Sequence, residues 1–104
     1  MRIQIMIMPE KMNLGSAPEI GKKLKALIEQ DAEAVIVDLA QTEFIDSACI
    51  AELIGAHRTM QDRGGVFALA GARDVVADIL HMTRIDNVLK MYADVEAARA
   101  DLQA

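Results

Sequence analysis

The sequence predicts an α/β fold of βαβαβαβα order, a mainly parallel four-stranded sheet with about four helices. Three observations predict it. Short apolar runs of strand period alternate with stretches of helical period, and Ser, Asp and Gly stand where helices should start and stop. The chain is 104 residues long and 53% hydrophobic, which predicts a folded radius of gyration of about 13 Å and one core without metal or disulfide staples. Residues 1–104 therefore read as one domain. Strand–helix–strand order implies right-handed crossovers and parallel pairing.

Residues 2–8, Arg-Ile-Gln-Ile-Met-Ile-Met, put Ile3, Ile5 and Ile7 on one face with Gln4 opposite, the period of a half-exposed strand that Pro9 ends. Ser16-Ala17-Pro18-Glu19 reads as a capping box, with Pro18 where its missing N–H costs nothing. The helix it opens carries Ile20, Leu24, Leu27 and Ile28 as one stripe to about residue 30, weakened slightly by Gly21. Ala34 to Ala40 is a β-branched, nearly continuous apolar run, as expected of a strand covered on both faces. Asp46-Ser47 are cap residues ahead of a helix marked by Ile50, Leu53, Ile54 and Met60, and Gly64-Gly65 stop it. Val66 to Ala70 is a third strand. Asp74 is the expected cap of a helix turning Val76, Ile79, Leu80 and Met82 inward. Val88 to Tyr92 reads as the fourth strand, and Asp94 caps a last helix with Val95, Ala98 and Leu102 on one face.

Composition narrows the function. Eleven Lys and Arg against sixteen Asp and Glu give a net charge of -5, which disfavours nucleic acid, whose phosphates need clustered cations. The one basic cluster, Lys22, Lys23 and Lys25, falls on the solvent side of its helix. A single cysteine excludes an internal disulfide and fits a reducing compartment. No apolar stretch approaches the roughly 18 residues of a membrane span, so no membrane insertion is expected and the chain reads as cytoplasmic.

The usual chemistries find little purchase. No phosphate-cradling glycine motif follows any strand, and the acidic pair of a phosphorelay receiver is missing, since Glu10 stands alone. His57 and His81 lack metal-ligand spacing. Ser47 as a hydrolase nucleophile lacks the G-x-S-x-G setting, and His57 lies about 15 Å along the same helix. Cys49 beside Asp46 reads as a small buried packing residue. The sequence reads as a non-enzyme that needs no cofactor.

The segment from Val37 to Ile50 is the unusual one. Val37-Asp38-Leu39 closes a strand, and Phe44-Ile45-Asp46-Ser47-Ala48 opens a helix. Here the chain resembles the STAS domain family, shared by sulfate transporters and anti-sigma factor antagonists. Arg63-Gly64-Gly65, Leu69-Ala70-Gly71, Ile79-Leu80-His81-Met82-Thr83 and the strand at Val88 to Tyr92 follow the family's order, so the resemblance spans nearly the whole length.

The resemblance implies an anti-sigma factor antagonist whose serine after the Asp, here Ser47, is phosphorylated by a GHKL-type partner that is both anti-sigma factor and serine kinase. That partner supplies ATP and Mg, and a PP2C-type phosphatase reverses the step. Asn13, Asp46, Ser47, Ala48, Cys49 and Ile50 form the implied partner-binding set. The alternative is a non-phosphorylated STAS scaffold or subunit of a stress-signalling or lipid-transport complex, with Ser47 only a cap. Three departures stand out. Cys49 replaces the family's Gly and is expected to narrow access to Ser47; Asn13 replaces an Asp; and the family's extra N-terminal strand is expected to be short or missing.

Overall fold

The computed structural model covers residues 1–104. In chain order it contains β1 (Ile3–Ile7), β2 (Lys11–Met12), α1 (Ala17–Glu29), β3 (Ala34–Asp38), β4 (Phe44–Ile45) and α2 (Ser47–Asp62). β5 (Val66–Ala70), α3 (Asp74–Met82), a 3-10 turn (Ile85–Asn87), β6 (Lys90–Tyr92) and α4 (Val95–Leu102) follow. The main sheet runs β1-β3-β5-β6 with every pairing parallel.

β3 sits inside because its residues suit both faces. Val35 and Val37 point into the main core beneath α1, α2 and α3, where Leu24, Ile28, Leu53, Met60 and Leu80 meet Phe67 and Leu69. Ile36 points the other way and packs with Ala70 against Ala98 of α4. Ala34, Val35, Ile36 and Val37 are all fully buried, as a strand covered on both faces requires. α2 ends as its glycines suggest: Gly64 takes a left-handed φ of 76°, and the Gly65 N–H returns to the Met60 carbonyl at 2.8 Å. Asp94 caps α4, its Oδ1 accepting from the Ala97 N–H at 2.7 Å.

Five readings change. β1 is apolar on both faces: Met6 and Met8 enter the main core, Ile3 and Ile5 border the smaller one, and Ile7 stays 64% exposed. The capping box at Ser16 does not form, because Ser16 has a helical backbone and its hydroxyl turns back to accept from the Asn13 N–H at 3.0 Å. Glu19 instead pairs with Lys23 at 3.7 Å. Arg73, not Asp74, is the extended cap residue of α3, and Asp74 enters the helix at φ 52°. Met82 lies 73% exposed, since the inward line of α3 is Val76 and Leu80 and Met82 is two residues past it. The last strand is shorter than expected, because the Val88 and Leu89 N–H groups both return to the Ile85 carbonyl.

A second sheet also appears, the two-residue parallel pair β2–β4, with Lys11 opposite Phe44 and Met12 opposite Ile45. It lies too short in sequence for periodicity to reveal.

α4 is latched by its own strand. The Tyr92 hydroxyl donates to Asp101 Oδ2, and that bond, with some burial, pushes the Tyr92 phenol up to about 12 from 10.0. The folded state thus favours the protonated phenol. Its stabilisation is expected in full below pH about 10 and to fade toward pH about 12. Denaturant unfolding of wild type and Tyr92→Phe across that interval checks it: the wild-type advantage should shrink as pH rises.

Candidate functional site

β3 delivers the chain to the C-terminal end of the sheet, and the loop beyond it is tied down on several sides. Thr42 is the one buried polar residue; its hydroxyl donates to the Pro9 carbonyl at 2.9 Å. Gln41 Nε2 donates to the Met8 carbonyl at 2.8 Å, and the Glu43 N–H donates to the Glu10 carbonyl at 2.7 Å. From the far side, Arg73 Nε donates to the Ala40 carbonyl at 2.8 Å. Gly71, at φ 79°, lets the β5–α3 connection pass so close that a Cβ there would lie 3.2 Å from the Ala40 nitrogen. These anchors carry no motif, so sequence reading passes over them.

The loop then enters β4, and β4 sets the start of α2. The Asp46 N–H donates to the Met12 carbonyl at 2.9 Å, fixing the cap residue against β2. Asp46 has extended backbone, and its Oδ1 accepts from the Cys49 N–H at 3.2 Å. Ser47 is therefore the first helical residue and is exposed, while Ala48 behind it is half-buried.

Asn13 meets this helix start through its backbone. Its carbonyl accepts from the Cys49 thiol at 3.4 Å and from the Ser16 and Ala17 N–H groups at 3.0 and 2.9 Å. Its side-chain Oδ1 accepts from the Ser16 N–H at 3.2 Å. The amide is thus occupied in shaping the turn into α1.

Cys49 and Ile50 lie differently from what a partner-binding role implies. Cys49 is 0% exposed and Ile50 9%; both pack in the main core, shaping the site from beneath. Burial, reinforced by the Asp46 carboxylate, pushes the Cys49 thiol above its usual range. The Cys49 side chain is wholly buried with its thiol donating to the Asn13 carbonyl, so it adds nothing to the exposed surface around Ser47. The exposed apolar surface near the cap comes instead from Leu14, 74% exposed, and Phe44, 44% exposed, on the segments that carry Asn13 and Asp46. Out–in alternation at Phe44-Ile45 was the available signal for Phe44.

The histidines stand as surface and boundary residues. His81 is exposed, its Nδ1 paired with Asp86 Oδ2 at 2.8 Å, and His57 is half-buried on α2.

Since the Cys49 side chain is packed, Cys49→Gly is expected to cost about 2 kcal/mol, from helix entropy and lost packing together, and Cys49→Ala about 1 kcal/mol. Urea midpoints of the purified variants check the order. Equal midpoints for wild type and Cys49→Gly would show that the sulfur contributes no packing.

With the geometry in place, comparison with known proteins assigns the chain. A provisionally named anti-sigma factor antagonist from Thermotoga neapolitana is 24% identical over 101 residues, 95% of this chain and 89% of the relative. Among solved structures, an anti-sigma factor antagonist from Mycobacterium paratuberculosis superposes with a TM-score of 0.89 at 17% identity, covering 98% of this chain and 86% of that one. The anti-sigma factor antagonist SpoIIAA, unphosphorylated, gives 0.85 at 16% identity, over 98% and 89%. Its phosphorylated form, from Bacillus, gives 0.75 at 16% identity, over 97% and 91%. The family model for the STAS domain matches residues 2–98, and the chain belongs to the STAS domain family.

Proposed function

We propose that this STAS domain is an anti-sigma factor antagonist, acting by binding an anti-sigma factor in the cytoplasm and switched by phosphorylation of Ser47. The observation that carries the reading is the placement of Ser47: exposed, first in α2 and behind a formed Asp46 cap, with exposed Leu14 and Phe44 on the segments that carry Asn13 and Asp46. The partner is a GHKL-type protein that is also the serine kinase and brings ATP and Mg. A PP2C-type phosphatase restores the free hydroxyl. The likeness to SpoIIAA, solved with and without phosphate, supports the same switch here.

The physics suits a release mechanism. A phosphoserine carries about -1.5 to -2 charges at pH 7. At the first helical position it gains from the unpaired N–H groups and positive end of α2, so the phosphorylated chain need not unfold. On the partner's side the effect is opposite. Unphosphorylated, Leu14, Phe44 and a neutral hydroxyl can be desolvated cheaply; phosphorylated, the same contact must strip water from a dianion beside the Asp46 carboxylate, which costs far more than the apolar contacts return.

The test uses the purified chain with the cognate kinase. Ser47→Ala should fold, bind and take up no phosphate, whereas Ser47→Asp should fold and bind about tenfold or more weakly. Intact mass and titration calorimetry read these outcomes. Phosphate uptake by Ser47→Ala would place the site elsewhere. Equal binding of wild type and Ser47→Asp would instead favour a scaffold or complex subunit in which Ser47 only starts a helix.

A further inference from the structure

The main sheet has two open edges, and they are unlike. β6 has three residues and begins at the exposed Lys90, a short charged edge of the kind that resists pairing. β1 has five residues, Ile-Gln-Ile-Met-Ile, with no charge, no proline and no bulge. It pairs with β3 on one side and with no strand on the other.

The hydrogen bonding shows which atoms are free. The Arg2 carbonyl accepts from the Ala34 N–H at 3.1 Å, and the Met8 N–H donates to the Asp38 carbonyl at 3.0 Å. Even-numbered residues of β1 therefore turn their backbone toward β3. By alternation, Ile3, Ile5 and Ile7 turn both N–H and C=O outward. Their side chains line the face that α4 covers only in part, with Ile3 and Ile5 half-buried and Ile7 64% exposed.

We propose that a second copy of this chain docks on this edge, β1 against β1, antiparallel, with Ile5 facing its symmetry mate. Three features select that occupant. First, the outward row is self-complementary: in this register Ile3 faces the partner's Ile7 and Ile5 faces Ile5, and each facing pair exchanges two N–H···O bonds while placing isoleucine against isoleucine. Second, charge permits it. Arg2, the charged side chain that borders the strand, is turned to the neighbouring loop, its Nε donating to the Asp31 carbonyl at 3.1 Å. The antiparallel register sets the two Arg2 residues at opposite ends, whereas a parallel one would bring them together. Third, the ladder has a built stop: Pro9 is the next outward-facing position and has no N–H, so pairing ends with Ile7 and slipped registers lose bonds. Twofold pairing also closes on itself, where β1 against β6 would leave open ends and grow.

So short a ladder buries less than the roughly 1,200 Å² of stable complexes, so monomer and dimer should exchange with concentration. Sedimentation equilibrium of the full chain, with amide hydrogen exchange read residue by residue, tests this. A dimer is expected, with the Ile3, Ile5 and Ile7 amides slowing as concentration rises. Ile7→Lys, at an exposed position, should keep the fold by circular dichroism and weaken the dimer about tenfold or more. Ile7→Pro, which removes one outward N–H and none from the β3 ladder, should do the same. A chain monomeric at every concentration overturns the proposal. So does a dimer whose three amides stay fast or that both variants leave intact. Protection of these amides in a monomer would mean that another segment covers the edge, and would overturn it equally.

Discussion

The burial of β3 on both faces and along both edges is the constraint on which the rest depends. Val35 and Val37 commit α1, α2 and α3 to one side, and Ile36 commits α4 to the other. A strand so enclosed has one register available, because a shift of a single residue would exchange Val35 and Val37 with Ile36 and misfit both cores. Its C-terminal end is consequently a fixed point. Asp38, Leu39 and Ala40 leave it in a turn closed by Asp38 Oδ1 accepting from the Ala40 N–H at 2.9 Å, and everything that positions Ser47 is built out from there.

What could be read from the sequence follows the range of the forces involved. Helix stripes and the apolar central strand repeat over many residues, and Asp46 and Asp94 cap helices through atoms three residues away, so local pattern identifies them. The failures lie where a distant partner decides. Ser16 has the right neighbours for a capping box, yet Asn13 and the Lys11 carbonyl draw its hydroxyl into the preceding loop. Asp74 looks like a cap, but Arg73 reaches Ala40 and takes the cap position for itself. β2 and β4 exist only because each has the other, thirty-odd residues away in sequence. The same holds for the site: Phe44, Asp46 and Ser47 sit in a local pattern, while the tethers from Thr42 and Arg73 and the exposure of Leu14 depend on distant parts of the chain.

Cys49 shows how the third dimension changes the meaning of a residue. Three positions into a helix beginning at Ser47, its side chain turns inward, toward Asn13 and the core, and not along the surface that Ser47 presents. Where the family's Gly leaves that spot bare, this chain fills it with sulfur and ties the thiol to the loop before α1. The substitution therefore adds a direct tie between two segments, the turn into α1 and the first turn of α2, that already share the β2–β4 pair and the main core.

The two proposed surfaces draw on different physics, so one chain can carry both. At Ser47 the controlling quantity of the proposed switch is charge, since a hydroxyl turned into a dianion would change the cost of desolvation. At the β1 edge it is unpaired backbone, insensitive to that change. The net charge of -5 links them only weakly. Two acidic copies repel at long range, but at physiological ionic strength the field is screened beyond about 8 Å. Repulsion of that reach discourages indiscriminate sticking of an uncharged edge strand, yet it cannot overrule a ladder whose partners sit within hydrogen-bonding distance.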